Sequence, residues 1–130
     1  MSQSLGWGVV GLGRIADTRI APAIAALEGT ELVGVVSRDL GRAEAFGKRH
    51  GAQVALDDYQ ALLADPAVGA IYIATPNALH AGQVIAAARA GKHVICEKPL
   101  ATSVAEAAEL VKIAGETKLR NATLDRKSVV

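Results

Sequence analysis

Short apolar runs alternate along the chain with longer stretches that have helical periodicity. The apolar runs are almost uninterrupted, as in the strands of a parallel sheet that is covered on both faces. We predict strands at Leu5–Val10, Glu31–Val36, Gln53–Leu56, Val68–Ala74 and Lys92–Cys96. A further strand is expected near Leu119–Thr123, where Arg120 and Asn121 interrupt the pattern. The alternation predicts an α/β fold with a doubly wound parallel sheet and right-handed crossovers.

Capping residues and helix breakers set the predicted helix boundaries. Pro22 is expected to break or restart the helix after the first strand, because proline lacks an amide hydrogen and clashes with the preceding turn. Asp39 can cap a helix that runs to His50 and that Gly51 ends. The other helices are predicted from Asp57 or Asp58 to Ala64, from Asn77 to Gly91, and after a capping box at Ser103 and Glu106, with Val104, Ala107, Ala108, Val111 and Ala114 on one face.

Composition narrows the class of protein. The 130 residues suffice for one domain, and because they are 51% apolar but only 3% aromatic, the core must consist of small aliphatic side chains. The net charge is +1 and the charged residues are scattered, which indicates neither a nucleic acid partner nor a membrane surface. The single cysteine, Cys96, excludes an internal disulfide and is expected to be an inert, buried thiol. We expect a soluble, cytoplasmic protein, since no signal peptide or bilayer-spanning run is found, and we predict no metal site.

The stretch GLGRIA, from Gly11 to Ala16, follows the first strand directly. Gly11 permits a tight turn, and Gly13 lacks a side chain, so that the backbone can approach a pyrophosphate. Ala16 keeps the next helix close to the sheet, and the amino terminus of that helix presents amide hydrogens to the anion. At the carboxyl edge of a parallel sheet this pattern favours a dinucleotide-binding turn. A structural turn in another doubly wound protein is the alternative.

The end of the second strand bears on the choice of dinucleotide. NAD-binding proteins usually place an acidic residue there, which accepts hydrogen bonds from the ribose 2′-hydroxyl. Here Ser37 and Arg38 occupy the position, and Arg42 lies one helical turn further along. A hydroxyl and two guanidinium groups suit a 2′-phosphate, so NADP is preferred over NAD as the cofactor. Alternatively, both arginines are solvated surface charges and Asp39 contacts a 2′-hydroxyl.

Two later strand ends carry further polar residues. In ATPNALH, after the fourth strand, Pro76 fixes the backbone, Asn77 can cap the helix, and His80 lies one turn into that helix. In CEKPLA, after the fifth strand, Glu97 and Lys98 stand side by side at the rim of the predicted site. The alternatives are that Asn77 only caps the helix, that His80 is a partly buried surface histidine, and that Glu97 and Lys98 form a salt bridge within a loop.

Together, GLGRIA, ATPNALH and AGKHVICEKPLA resemble the N-terminal NAD(P)-binding domain of the Gfo/Idh/MocA oxidoreductases, which has a Rossmann-like fold. The resemblance runs from about Trp7 to Gly115, and its two later motifs are more specific than the glycine turn. It implies that Lys98 is catalytic and contacts the reacting hydroxyl or carbonyl. The cofactor-binding residues it implies are Gly11, Gly13, Arg14 and Ile15 at the pyrophosphate, Ser37, Arg38 and Arg42 at the adenosine ribose, Thr75, Pro76, Asn77 and His80 toward the nicotinamide half, and Glu97 near the nicotinamide ribose.

The resemblance also implies the reaction, which is hydride transfer between nicotinamide and a sugar- or polyol-like hydroxyl or carbonyl. The complete protein is expected to be a homo-oligomer. The family's C-terminal α/β domain, which largely supplies the acid–base group and the sugar pocket, is missing from this sequence. We therefore expect residues 1–124 to be a dinucleotide-binding domain, truncated and without turnover on its own. Asp125–Val130 also matches the translation of a widely used sequencing adaptor, so a non-native tail is expected there.

Two other functions stay open at this point. A non-catalytic NAD(P)-binding or sensing module would need no acid–base group, but it would have little use for a lysine at the hydride site. Another dehydrogenase with the same type of cofactor domain, such as a homoserine or dihydrodipicolinate type, is not expected to carry the Glu97-Lys98-Pro99 sequence.

Overall fold

The computed structural model describes residues 4–97, 108, 112 and 121–124, with the backbone alone for 77 and 121–124. Within these residues, six strands form one parallel sheet in the order β3-β2-β1-β4-β5-β6. The chain winds from β1 toward one edge and from β4 toward the other, so β1 and β4 meet at the topological switch point. The strands are β1 Leu5–Val10, β2 Thr30–Val36, β3 Val54–Leu56, β4 Ala70–Ile73, β5 His93–Glu97 and β6 Asn121–Leu124.

The predicted doubly wound parallel sheet is confirmed, and β1 to β5 agree with the predicted strands to within two residues at each end. The sixth strand corrects the prediction. Asn121, which we expected to interrupt it, is its first residue and lies opposite Val94 of β5. Among the strands that the structure describes, β6 stands at the end of the sheet and pairs with β5, so it does not need the continuous apolar run of a central strand.

Two helices begin and end at the predicted polar caps. Helix α2 spans Leu40–His50; the Asp39 carboxylate accepts a backbone amide bond from its first turn, and Gly51 ends it with a φ of +76°. Helix α3 spans Tyr59–Ala64, and its cap is Asp58. The choice between Asp57 and Asp58 that the sequence left open is thereby decided.

The segment between β1 and β2 is helical in two parts. A π-helical turn spans Ala16–Ile20, and α1 follows at Ala21–Ala26. Pro22 lies in the first turn of α1, where a missing amide hydrogen costs no intrahelical bond. The backbone stays helical from Ala16 through Ala26, so the predicted break does not occur, and Pro22 lies where π-helical hydrogen bonding gives way to α-helical.

The helix after β4 starts later than predicted. A 3₁₀ turn spans Asn77–Leu79, and α4 follows at His80–Arg89. In the next predicted helix, residues 108 and 112 are helical, and both are exposed, although Ala108 was predicted on the apolar face. Its capping box at Ser103 and Glu106 lies outside the described residues.

A hydrophobic cluster covers each face of the sheet. One cluster joins α1 and α2 to residues such as Tyr72, and the other joins α3 and α4 to residues such as Ile71. Both consist mainly of Val, Ile, Leu and Ala, as the composition predicts. Within the described residues, none of the helices has the length and apolar character needed to cross a bilayer.

Candidate functional site

A cleft of about 410 Å³ opens at the carboxyl edge of the sheet, beside the switch point between β1 and β4. Its walls are formed largely by the residues that follow β1, β2, β3 and β4, which parallel strands bring to one edge. The predicted site residues in this cleft are Gly11, Gly13, Ser37, Arg38, Arg42, Thr75 and Pro76. Lining residues that the sequence did not single out for the site include Asp57, Tyr59, Leu79 and Gln83.

Gly11 is required by its backbone conformation and by its neighbours. Its φ is +88°, a conformation that side chains rarely adopt. A Cβ at Gly11 would lie 2.5 Å from the carbonyl oxygen of Ala74, so the loop packs directly on the end of β4. The amide of Gly11 donates to the carbonyl of Val36 at 3.4 Å. The loop after β1 is therefore held between the ends of β2 and β4.

The space around Gly13 is open, whereas the space around Gly11 is crowded. A Cβ at Gly13 would meet no atom within 4 Å, so packing does not require a glycine there. The Leu12 side chain is buried, which leaves the main chain of this loop at the surface of the cleft. Within the described part of the chain, no backbone carbonyl accepts a bond from the amides of Leu12 and Gly13. These two amides, at the start of a helical segment, suit an anion.

Arg42 holds the glycine loop from the side of α2. Its Nη2 donates to the carbonyl oxygen of Leu12 at 2.8 Å, a contact between residues 30 positions apart. The alternative that Arg42 is only a solvated surface charge is therefore wrong. A guanidinium group carries five N–H donors, so donors are left over for a ligand. Arg38 is exposed and lines the same part of the cleft.

Asp39 is held by hydrogen bonds to its neighbours, beside these two arginines. Its carboxylate accepts the amide of Arg42 at 3.2 Å, and its own amide donates to the Ser37 hydroxyl oxygen at 3.2 Å. Asp39 does not line the cleft, which counts against the alternative that it contacts a ribose hydroxyl. The hydroxyl hydrogen of Ser37 is left to donate, so this end of the cleft presents donors and two positive charges beside the single carboxylate of Asp57.

Arg14 and Ile15 do not line this cleft, although the preceding residue, Gly13, does. With Thr18 and Arg19 they border a neighbouring cleft of about 380 Å³ on the helical segment after the glycine loop. The hydroxyl of Thr18 donates to the carbonyl oxygen of Arg14 at 2.7 Å. Arg14 and Ile15 directly follow Gly13 in the chain, and their contact with the pyrophosphate stays a prediction.

His80 lies behind the wall of the cleft. It is 1% exposed, and its Nε2 lies 2.7 Å from the carbonyl oxygen of Thr75. Since a carbonyl oxygen only accepts, Nε2 carries the proton in this bond. The imidazole thus fixes the backbone at the end of β4, and it is more deeply buried than the sequence suggested. The side chain of Asn77 lies outside the described residues.

Gln83 connects the same loop to two helices. It lies one turn after His80 on α4, and its side-chain oxygen accepts a hydrogen bond from the Thr75 hydroxyl. Its main-chain carbonyl accepts a bond from the Tyr59 hydroxyl at 2.7 Å. Burial raises the pKa of Tyr59 above its ordinary value, which keeps this hydroxyl protonated as a donor. The i, i+3 spacing from His80 is the one signal in the sequence that could have identified Gln83.

The end of β5 carries a buried phenol beside a carboxylate. The Tyr72 hydroxyl donates to Glu97, and Tyr72 is 1% exposed. Burial, and then the Glu97 carboxylate, raise the pKa of Tyr72 above its ordinary value. Cys96 is fully buried, as predicted, and burial together with the charge of Glu97 raises its pKa to about 12, which is in keeping with an inert thiol. Lys98 lies outside the described residues.

The described residues fit a phosphate-bearing dinucleotide better than a metal ion. The amides of the glycine loop, with open space at Gly13, lie at the switch point, and two arginines with a serine lie on the side of β2. No group of three His, Cys, Asp or Glu side chains in the described ranges could hold a metal. Asp57 follows β3 and adds one carboxylate to the cleft. Its position directly after a strand could have identified it, because ligands bind at the carboxyl ends of parallel strands.

The chain matches known proteins over most of its length. Residues 5–123 match the Gfo/Idh/MocA family, described as "Oxidoreductase family, NAD-binding Rossmann fold". A 1,5-anhydro-D-fructose reductase from Ensifer adhaerens is 39% identical over 128 residues, which cover 92% of this chain and 38% of that protein. A scyllo-inositol 2-dehydrogenase (NADP(+)) from Bacillus subtilis is 38% identical over 83% of this chain and 33% of its own length.

One solved structure is similar to this chain in both fold and sequence. It is a 3-ketoreductase from Actinomadura kijaniata in complex with NADP, which superposes with a TM-score of 0.87 and is 38% identical. The match covers 93% of this chain and 38% of that one. The chain thus spans about a third of the length of the relatives it matches.

Proposed function

Because the chain belongs to the Gfo/Idh/MocA family of oxidoreductases with the NAD-binding Rossmann fold, we propose that it is the cofactor-binding half of an NAD(P)-dependent oxidoreductase. NADP is the preferred cofactor and NAD the alternative. The complete protein transfers hydride between nicotinamide and a sugar- or polyol-like hydroxyl or carbonyl. The cleft at the switch point of the sheet carries this proposal.

The glycine loop binds the pyrophosphate in this proposal. The amides of Leu12 and Gly13 donate to the phosphate oxygens, and the open space at Gly13 admits them. Arg42 contributes in two ways, because its bond to the Leu12 carbonyl fixes the loop while its other donors face the ligand. The loop is therefore preorganised for an anion before the cofactor arrives.

The side of the cleft next to β2 selects the cofactor. Ser37 and Arg38 follow β2 and, with Arg42, donate to the 2′-phosphate of NADP. The Asp39 carboxylate caps α2, so it does not accept a hydrogen bond from the ribose 2′-hydroxyl of NAD. The scyllo-inositol 2-dehydrogenase (NADP(+)), and the 3-ketoreductase in complex with NADP, support the same preference.

The other half of the cofactor lies over β4 and β5. Thr75 and Pro76 form the wall there, and Glu97 ends β5 beyond them. When bound, nicotinamide supplies or accepts the hydride. By resemblance to the family, Lys98 donates to the substrate oxygen, whose charge changes as the hydride moves. The acid–base group and most of the sugar pocket belong to the part of the protein beyond this chain.

The substrate class and setting follow from the family. The reductase and dehydrogenase relatives carry names of sugar or inositol substrates, which supports a small sugar or polyol as substrate of the complete protein. We place that protein in the cytoplasm and expect it to form a homo-oligomer. The reduced, buried thiol of Cys96 is in keeping with a reducing compartment.

Titration calorimetry with NADPH and NADH tests the cofactor proposal. Wild type is expected to bind NADPH more tightly than NADH. Arg38→Ala should weaken NADPH about ten- to a hundredfold and leave NADH nearly unchanged, because it removes charge-assisted bonds to the 2′-phosphate alone. Arg42→Ala should weaken both nucleotides, NADPH more strongly, because it also releases the glycine loop.

Lys48→Ala is the matched control, since Lys48 is an exposed cation in the last turn of the same helix and does not line the cleft. It should leave both affinities unchanged. Equal losses of NADPH and NADH affinity in Arg38→Ala would show that Arg38 does not contact a 2′-phosphate. A wild-type chain that is folded but binds neither nucleotide would overturn the proposed function.

A further inference from the structure

Three side chains, those of Asp17, Arg49 and His50, form the Asp17 cluster between the helical segment after the glycine loop and the last turn of α2. One carboxylate oxygen, Oδ1 of Asp17, accepts bonds from Nε and Nη2 of Arg49 at 3.0 and 2.9 Å. The same oxygen lies 2.6 Å from Nε2 of His50, which carries the proton of this bond, because an ionised carboxylate only accepts. None of the three residues lines the cofactor cleft, so the cluster can affect a ligand there only through other groups.

Phe46 restrains the two α2 side chains of the cluster. It is buried, its ring centroid lies 4.6 Å from that of His50, and the Cζ atom of Arg49 lies 5.5 Å from the same centroid. An exposed ion pair contributes little when both side chains must first be ordered. Because Phe46 already holds Arg49 and His50 in place, the cluster loses less entropy and forms a definite attachment between α2 and the segment after β1.

Helix α2 therefore reaches the glycine loop at both of its ends. In its first turn Arg42 donates to the carbonyl oxygen of Leu12, and its last turn binds Asp17 through the cluster. The backbone amide of Asp17 donates in turn to the carbonyl oxygen of Gly13 at 3.0 Å. The carbonyls of two consecutive residues are thus fixed from α2, that of Leu12 directly and that of Gly13 through Asp17.

The direction of a carbonyl group determines that of the next amide, because a peptide unit is planar and trans and its N–H points opposite to its C=O. The bond from Arg42 to the Leu12 carbonyl therefore orients the amide of Gly13. In the same way, the bond from Asp17 to the Gly13 carbonyl orients the amide of Arg14. The amide of Arg14 belongs to the first turn of the helical segment, where amide hydrogens lack an intrahelical acceptor.

We propose that Asp17, held by the other two members of the cluster, is a positioning residue that orients the amide of Arg14 toward the pyrophosphate of the cofactor. The inference rests on the proposed function. The turn that contains Asp17, Ala16–Ile20, is π-helical, a geometry that is rare and that often occurs at functional sites. With the cluster in place, this turn and the Gly13 peptide keep one orientation before the cofactor binds. Without it, the pyrophosphate must also order the turn on binding, which costs affinity.

The test compares two ligands on the same variants of this chain. NADPH contains the pyrophosphate, whereas adenosine 2′-monophosphate lacks it and reports on the side of β2. Asp17→Ala should weaken NADPH about three- to tenfold, the cost of ordering one or two further side chains on binding, and NADH by the same factor. It should leave the affinity for adenosine 2′-monophosphate, measured by NMR titration, unchanged.

Three further variants separate positioning from stability. Arg49→Ala removes one partner of Asp17 and should weaken NADPH by an intermediate factor. Combined with Asp17→Ala, it should weaken NADPH no more than Asp17→Ala alone, because the two changes remove the same bond. Lys48→Ala, which removes an exposed cation from the same turn of α2, should have no effect. Lys92→Met removes a buried ammonium that binds two main-chain carbonyls outside the cleft, and it should lower stability without weakening NADPH.

The outcomes separate this inference from the proposed function. If Asp17→Ala weakens NADPH and adenosine 2′-monophosphate by the same factor, or if Lys92→Met weakens NADPH as much, the effect reflects stability and the inference is wrong. If Asp17→Ala binds NADPH as wild type does, the cluster has no part in binding, and only this inference fails. If folded wild type binds neither NADPH nor NADH, the proposed function itself fails and the inference falls with it.

Discussion

Gly11 and Gly13 should respond in opposite ways to the same substitution. Both belong to the loop after β1, but Gly11 has a φ of +88° and a crowded Cβ position, whereas Gly13 is not among the glycines with positive φ and has open space around it. Gly11→Ala should therefore lower stability. Gly13→Ala should slightly raise stability and weaken the binding of the cofactor, because its methyl group would stand where the pyrophosphate approaches the backbone.

The magnitudes follow from two separate costs. A left-handed conformation costs an alanine about 1–2 kcal/mol. At Gly11 the new Cβ also lies 2.5 Å from the carbonyl oxygen of Ala74, which is backbone and cannot rotate away. Such overpacking adds about 1–3 kcal/mol, so the free energy of unfolding should fall by about 2–5 kcal/mol. At Gly13 neither cost applies, and the stiffer unfolded chain should add about 0.4–1 kcal/mol of stability.

Gly51→Ala measures the cost of the left-handed conformation alone, without a steric clash. Gly51 has a φ of +76° at the end of α2, and a Cβ there meets no atom within 4 Å. This variant should lose about 1–2 kcal/mol of stability and keep wild-type affinity for NADPH.

Urea denaturation and NADPH calorimetry on all three variants are the assays. If Gly11→Ala is no less stable than Gly51→Ala, the steric reasoning is wrong. If Gly13→Ala binds NADPH as wild type does, the glycine loop does not contact the pyrophosphate.

Two further predictions concern stability. Lys92 is 8% exposed and its Nζ donates to two main-chain carbonyls, so Lys92→Met should lower the free energy of unfolding by about 2–3 kcal/mol in urea denaturation. Lys48→Met, at an exposed site, should change it by less than about 0.5 kcal/mol, and equal effects would refute a structural role for the buried ammonium. The hydrogen bonds from His50, and then those from Arg49, lower the pKa of Asp17 below 3.8. Since the folded pKa is the lower one, the stabilisation is present above the unfolded value and is lost as the pH falls through the folded one. In thermal denaturation followed by circular dichroism, the difference between wild type and Asp17→Asn should thus shrink below pH 3.8, and a constant difference down to pH 2 would contradict the assignment.

Local chemistry explains why much of the fold could be predicted. Asp39 and Gly51 define α2 through a cap and a left-handed turn, which depend on neighbouring residues only. Central strands can be recognised as continuous apolar runs, because both of their faces are buried. The edge strand β6 escapes this rule, since an edge position tolerates Asn121 at a place where a central strand would not.

The site was less predictable because its contacts join distant parts of the chain. The residue types at the strand ends predicted which side chains meet at the cleft, as Gly11, Ser37 and Thr75 do. They could not predict that Arg42 would bind the Leu12 carbonyl 30 residues away, because that bond depends on how α2 packs beside the loop. For the same reason the sequence placed His80 along the cofactor, whereas the structure buries it behind Thr75.

The central claim is that the main chain of the glycine loop binds the diphosphate of a pyridine nucleotide. Its most direct test is an NMR titration of the ¹⁵N-labelled chain with NADPH, followed at the amides of Leu12 and Gly13. The account predicts that both amide resonances move downfield in proportion to saturation, while that of Gly51, at the far end of α2, stays in place. Saturation with NADPH that leaves the amides of Leu12 and Gly13 unmoved would contradict it.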